Sequence, residues 1–357
     1  MLVVLGAFLF LAGLGIELLF VKIYGLVVAV LLLSLAWVWK RKLKLPPGII
    51  LYVLFLLAFE ASLIWSRNRG VTADHLVSFI AGGLFWIAFY NLSDELSSRL
   101  DKVIIALGIA FGGMFIASHY FGETSIRPWS LYLPYTAYFN HNNIGDFWAL
   151  VLVIVSFYLI KKPKRFLYWG LVPLGFYFLA MSQSRSAYIA LLVGIVYLFK
   201  SQDWITKYKK IFTVLVFSAL ALFLFVGSQK SILLSRQYYL QGLMGLIHNP
   251  FGVGMGNFDI ISLDPANHLW GLSAYSSVAH NLILEVAAGM GLLGIFFVIW
   301  WVRRLVELWD RKDKKNLIYR AVFFTLTANL FFHSTYFVPT MLWLWFITLG
   351  LSQSKTK

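Results

Sequence analysis

The sequence predicts an all-α fold: a polytopic membrane bundle of about twelve transmembrane helices, with a large exoplasmic loop between the ninth and tenth. Three observations lead there. Of the 357 residues, 60% are hydrophobic and only 13% are charged, far from the balance of a soluble globular domain. Apolar runs close to the roughly 20 residues needed to cross a roughly 30 Å hydrocarbon core recur along nearly the whole chain. Twenty-three of the 30 Lys and Arg residues fall in every second connection between those runs.

In chain order the predicted spans cover 2–20, 23–39, 48–65, 76–91, 103–121, 143–160, 166–182, 186–199, 211–227, 277–302, 318–334 and 337–351. The first begins at Met1 without a basic n-region and leads into further spans, so it reads as a retained helix and not a cleaved signal. The eighth and twelfth are short for a full crossing. No fixed-period repeat or low-complexity linker divides the chain, which argues for a single integral-membrane domain over 1–357.

A net charge of +15 raises the question of nucleic acid, and the placement of the charge answers it. Lys40, Arg41, Lys42 and Lys44 follow the second span; Lys161, Lys162, Lys164 and Arg165 the sixth; Lys200, Lys207, Lys209 and Lys210 the eighth. Seven more lie between Arg303 and Arg320, and Arg99, Lys102, Lys355 and Lys357 fall on the same alternate connections. This is the positive-inside pattern of a membrane protein without a nucleic-acid partner, and it assigns both termini to the cytoplasm. The absence of cysteine excludes disulfides, thiolate metal sites and a Cys nucleophile.

By the same alternation all seven histidines, His75, His119, His141, His248, His268, His280 and His333, belong to the exoplasmic half. A transporter would gather ionisable groups near the bilayer midplane; this one-sided placement fits binding or chemistry at the outer surface better. Residues 228–276 form the one long connection, rich in Gly, Pro, Asn and Ser, and connections beyond about 12–15 residues are usually functional or disordered. Within it, "LSRQYYLQGLMGLIHNP" spaces Leu240, Leu243, Met244 and Ile247 as on one side of a helix, predicting a short amphipathic interfacial helix among membrane lipids.

Four segments carry candidate residues. "MSQSRSAYIALLVG", 181–194, sets Arg185 among Ser182, Ser184 and Ser186. It is either an interfacial arginine reaching lipid phosphates or a guanidinium held to grip a phosphate oxygen in a fork. The loop brings Arg236 and then "NPFGVGMGNF", whose glycines suit a tight turn, because no strand precedes them and no βαβ unit surrounds them. "SSVAHNLILEVAAGMGLLG", 276–294, puts His280 at the outer start of the tenth span, mostly neutral at pH 7 and therefore available as a general base. Asn281 suits a helix cap, while Glu285 inside a span needs a partner: Arg, His or backbone. In "AYFNHNNIGDFWAL", 137–150, Asn142 or Asn143 suits a cap, and Asp146 can hydrogen-bond a sugar or a histidine. No H-E-x-x-H, no His pair at i, i+4 and no D-x-D gives a positive metal signal.

Taken together, "SQSRSA", a loop arginine some fifty residues later followed by "NPFGVGMGNF", and then "AHNLILEVAAGMGLLG" resemble the O-antigen ligase and O-antigen polymerase superfamily. The resemblance is best over 135–302, a ligase-like core of about half the chain. It implies a bundle of about twelve helices with a large exoplasmic loop between two late spans. It also implies transfer of a glycan from an undecaprenyl-diphosphate-linked donor at the exoplasmic face of the bacterial inner membrane, with no metal and no cofactor. The family's histidine then falls on His280 and its two arginines on Arg185 and Arg236, at the diphosphate; Asn281, Glu285, Asn143 and Asp146 stand in support. The chain departs from the family pattern in its compact loop and in "GMG" where a proline often follows the Gly-Val-Gly. The first acceptor expected is the lipid A core. Within the superfamily the alternatives are a polysaccharide polymerase, with a glycan acceptor, and a protein oligosaccharyltransferase. Outside it stand a non-catalytic scaffold and a transporter or flippase of lipid-linked sugars, which would show paired halves and midplane charges. Glu17 and Glu60 lie inside spans without an evident role.

Overall fold

A computed structural model describes residues 2–13, 18–92, 99–120, 141–161, 164, 166–200, 232–268, 275–311 and 315–354. Among them there is no strand. The helices are α1 Leu2–Gly13, α2 Leu18–Lys40, α3 Ile49–Ser62, α4 Arg69–Asn91, α5 Leu100–Tyr120, α6 His141–Lys161 and α7 Phe166–Ser182. They continue as α8 Arg185–Lys200, α9 Ile232–His248, α10 Phe258–Leu263, α11 Leu282–Met290, α12 Ile295–Trp309, α13 Leu317–Phe332 and α14 Pro339–Gln353. Among the described residues four stretches are long and apolar enough to cross a membrane: Val21–Lys40, Arg69–Asn91, Asn142–Lys161 and Leu282–Trp309. Ile49–Ser62, Phe166–Ser182 and Leu317–Phe332 are shorter apolar helices. The predicted ninth span, 211–227, lies outside the described residues.

The two last helices form the centre. Every residue of α14 is buried, and α13 is buried from Leu317 to Leu330. Their indoles are satisfied by neighbours: Trp343 donates to the Ser78 carbonyl at 3.1 Å, Trp345 to Thr327 Oγ1 at 2.9 Å, and Trp86 of α4 to Gln353 Oε1 at 2.8 Å. Glycine notches admit the rings, since a Cβ at Gly25, Gly82 or Gly83 would run into Trp343, Phe346 or Tyr52. Close approach over small residues is how helices associate when the surroundings are themselves apolar. The outer surfaces are apolar accordingly: Ile23, Leu31, Trp37 and Val38 of α2 and Ile295, Val302 and Val306 of α12 are exposed, which suits lipid and would be a liability in water.

The two ends of the bundle differ in charge. At one, Arg304 donates to the Pro47 carbonyl at 2.8 Å, Arg311 to the carbonyls of Ser352 and Gln353 at 2.6 and 3.0 Å, and Lys200 to that of Trp309 at 3.2 Å. Lys200 and Arg311 there meet carbonyls at the C-terminal ends of α12 and α14, where the helix dipole favours cations. The starts of α4, α6, α8 and α11 gather with the end of α13 at the opposite end.

The predicted interfacial helix is α9, with an unusual distribution of exposure. Leu243 and Ile247 are 49% and 68% exposed, while Gln237 and Gln241 are buried. The predicted span 277–302 begins later, at Leu282, breaks into a 3-10 turn at Gly291–Gly294 and resumes to Trp309. The glycine-rich segment fills that break. Val253 N–H donates to the Ala288 carbonyl at 3.0 Å, Gly254 N–H to that of Gly289 at 2.8 Å, and Leu292 N–H to that of Pro250 at 2.8 Å. Gly252 and Gly254 have φ of 77° and 92°, and a Cβ on Gly252 would lie 2.5 Å from the Gly289 carbonyl carbon. Only glycine lets two backbones lie this close. The far side of the segment is tied to the start of α4: Arg67 N–H donates to the Val253 carbonyl at 3.1 Å, and the Asn257 amide to Ser66 Oγ and Thr72 Oγ1 at 3.2 and 3.1 Å.

Candidate functional site

Residues from five helices meet around His280. Asn281 caps α11 as expected, its side chain accepting from Leu284 N–H at 3.0 Å, and its amide nitrogen donates to the Phe331 carbonyl at 2.9 Å. The cap therefore joins the start of α11 to the end of α13. His280, just before it, has left-handed backbone with φ +52°. Its ring centroid lies 5.3 Å from that of Tyr238 on α9 and 6.2 Å from that of His333, the residue that ends α13. Burial first, and then the neighbouring His333, hold the His280 imidazole below its ordinary range, at about 4. It is neutral at pH 7, though a weak base.

Asp146, one turn into α6, is fully buried. Its Oδ1 accepts from Ser186 Oγ at 2.8 Å and from Ser184 Oγ at 3.2 Å, and its Oδ2 lies 2.8 Å from His333 Nδ1. The Asn329 amide donates to its backbone carbonyl at 3.2 Å, fixing α6 against α13. Asp146 thus has a histidine beside it, one of the two partners expected. Two of the serines around Arg185 hold the aspartate. Their small size still allows close approach, because a Cβ on Gly145 of α6 would strike Ser182 at the end of α7.

Arg185 is the first residue of α8, half-buried, between the two serines that bind Asp146. The backbone of Arg236 lies in α9, two residues before Tyr238; its side chain falls outside the described residues. Asn142 and Asn143 do not cap α6, which begins at His141 and takes both into its first turn, with Asn143 buried beside Asp146's end of the helix. Glu285 is buried, and its Oε2 accepts from Ala279 N–H at 2.8 Å and from Tyr336 OH at 2.9 Å. Its partners are backbone and a phenol.

The arrangement is a line of proton-handling groups, Ser184 and Ser186 to Asp146 to His333 to His280 to Tyr238, with Arg185 between the two serines in the chain. Such a line can accept a proton from a bound hydroxyl, and the arginine supplies forked donors for an anion. Sequence reasoning did not single out His333, Tyr238 or Tyr336. The signal was present in "FFHSTYF", 331–337, a brief polar interruption between the last two spans. Among the described residues no three His, Asp or Glu side chains are grouped as metal ligands. The chain matches no protein-family model and no curated protein.

Proposed function

We propose that this chain is an integral-membrane glycosyltransferase that moves a glycan from an undecaprenyl-diphosphate carrier to an acceptor hydroxyl at the exoplasmic face, with the lipid A core as the first acceptor to test. One observation carries the reading. The Ser-Arg segment at 182–186, the loop helix α9 and the His280–Asn281 segment, widely separated in the chain, converge at one end of the bundle through the Asp146, His333 and Tyr238 contacts. That end is opposite the one where the basic residues collect, which the positive-inside rule places in the cytoplasm.

In this reading His280 takes the proton from the hydroxyl that attacks the anomeric carbon. Arg185 and Arg236 stabilise the departing diphosphate, and a preorganised donor of that kind contributes on the order of 3 kcal/mol. Direct displacement inverts the anomeric carbon. The carrier's isoprenoid chain lies along the apolar exterior, next to Leu243, Ile247 and Phe251, which are all exposed. Transport of a lipid-linked sugar is the second reading, favoured by a part-buried ion pair between Lys22 of α2 and Asp74 of α4. Both residues lie within the first two turns of their helices, toward the His280 end and away from the bundle's middle, so the pair weighs less than the convergence.

The test is transfer by purified protein in detergent, with chelator present, from a synthetic undecaprenyl-diphosphate glycan. Wild type is expected to transfer with inversion, and His280→Asn and Arg185→Ala to lose transfer while folded. Product size separates single transfer from polymerisation. Retained configuration overturns the displacement mechanism, and failure of wild type to transfer shifts the weight to transport.

A further inference from the structure

The setting of His280 makes it a poor final holder of a proton, because the same burial that keeps the imidazole neutral opposes its charging. His333 Nδ1 stands 2.8 Å from Asp146 Oδ2, and the other oxygen of that carboxylate is fixed by two serine hydroxyls. Nδ1 and Oδ2 touch without being aligned as a hydrogen bond, so what the carboxylate offers the ring is its charge. The two imidazoles lie with centroids 6.2 Å apart and planes 35° from parallel, a spacing that one bridging hydroxyl or water can span for proton transfer.

We infer that the Asp146–His333 pair is the terminal proton acceptor of the transfer, receiving through His280 the proton that the acceptor hydroxyl gives up. This rests on the glycosyltransfer reading and goes beyond it. As the acceptor oxygen bonds to the anomeric carbon, the bond from that carbon to the diphosphate oxygen breaks and its electron pair leaves on the diphosphate. The hydroxyl proton passes to His280 and on to His333, whose imidazolium faces the Asp146 carboxylate. After the product departs, the proton is lost to water. Asp146 is a positioning residue, and Ser184 and Ser186 keep its second oxygen from turning away.

A merely structural role would have the same contact pin α6 to α13, so the test needs readouts that packing does not move. Full-length protein is assayed with the undecaprenyl-diphosphate glycan, comparing wild type, His280→Asn, His333→Gln, His333→Ala and Asp146→Asn. His333→Gln is expected to lower kcat by about a hundredfold or more, the lower range for general-base loss, with KM for donor and acceptor nearly unchanged. His333→Ala is expected to recover rate when imidazole is added, which no packing defect would do. A wild-type kcat in folded His333→Gln, with His280→Asn inactive, overturns this inference and leaves the glycosyltransferase reading intact; loss in His333→Ala that is confined to KM and does not respond to imidazole also overturns it. Where the His333 and Asp146 variants fail to fold, the double change Ser184→Ala and Ser186→Ala leaves both groups in place and loosens the carboxylate. It is expected to lower kcat at constant KM, and an unchanged kcat counts against the pair. Wild type that transfers nothing overturns both readings.

Discussion

The His280 backbone separates chemistry from folding in a way that a simple truncation would confuse. A non-glycine residue at φ +52° is uncommon, and asparagine tolerates that region better than alanine does. His280→Asn is therefore expected to keep the melting temperature in detergent near that of wild type while transfer falls by about 10²- to 10⁴-fold, the range for loss of a general base. The same residue gives a signed pH effect. Folding lowers its imidazole from 6.5 to about 4, so between those values the unfolded chain binds the extra proton. This contribution to stability is complete above pH 6.5 and is lost as pH falls toward 4, amounting to at most about 3 kcal/mol at 1.36 kcal/mol per unit. Melting temperatures of wild type and His280→Asn, close at pH 7, should draw apart as pH falls through that window, with wild type falling below the variant; parallel curves would show that the histidine is not buried as described. At this scale the sequence exposed residues with a local signature: Asn281 stands where a cap belongs, and Glu285 and Asp146 are charges that a membrane helix must satisfy. It did not expose His333 as the neighbour of Asp146, because that pairing depends on α6 and α13 meeting in space and leaves no spacing to read.

Among the elements, the glycine-rich segment and α11–α12 form one unit. A continuous helix from Leu282 to Trp309 would satisfy its own carbonyls; breaking it at Gly291 frees those of Ala288 and Gly289, and the loop N–H groups of Val253 and Gly254 take them. A Cβ on Gly252 would face the backbone of Gly289 and Gly291, which cannot turn aside as a side chain can. Gly252→Ala is expected to cost about 2 kcal/mol or more, from the left-handed backbone alone before the clash is added, and to lower melting temperature and transfer together. Wild-type stability would mean that the loop does not enter the break. The inner face of α9 makes a second case. Gln241 is 1% exposed, and neither polar atom of its side chain has a partner among the described residues. An unsatisfied buried amide costs about 1–3 kcal/mol, so Gln241→Leu is expected to raise the melting temperature, and a fall would reveal a partner for the amide. The existence of α9 was legible from the spacing of Leu240, Leu243, Met244 and Ile247. Its orientation was not, since a helix whose apolar side faces lipid and whose glutamines face protein has the same periodicity as the reverse.

At the scale of the whole molecule, helical class and apolar exterior followed from composition, while the number of crossings did not. Length is the reason: α3 has 14 residues and α13 has 16, about 21 and 24 Å at 1.5 Å per residue, less than a roughly 30 Å core. Hydropathy windows run such helices together with their apolar flanks, and they also pass over a break like that at Gly291, whose residues are as apolar as the helices they interrupt. What survives this blurring is the segregation of charge, because it depends on which end of a helix a residue occupies and not on where the helix stops. Basic residues bind carbonyls at the ends of α12 and α14, and the Asp146, His333 and His280 line occupies the other end. If the basic end is cytoplasmic, the two ends must differ in their access to a reagent that cannot cross the membrane. The natural absence of cysteine makes this direct to measure. Lys42→Cys at the basic end and Pro265→Cys in the long connection are both exposed positions. In intact cells an impermeant maleimide is expected to label only the Pro265→Cys protein, and Lys42→Cys only after permeabilisation. The reverse pattern would put the histidine line in the cytoplasm, where a lipid-linked donor displayed on the outer face could not reach it, and the proposed transfer would fail with it.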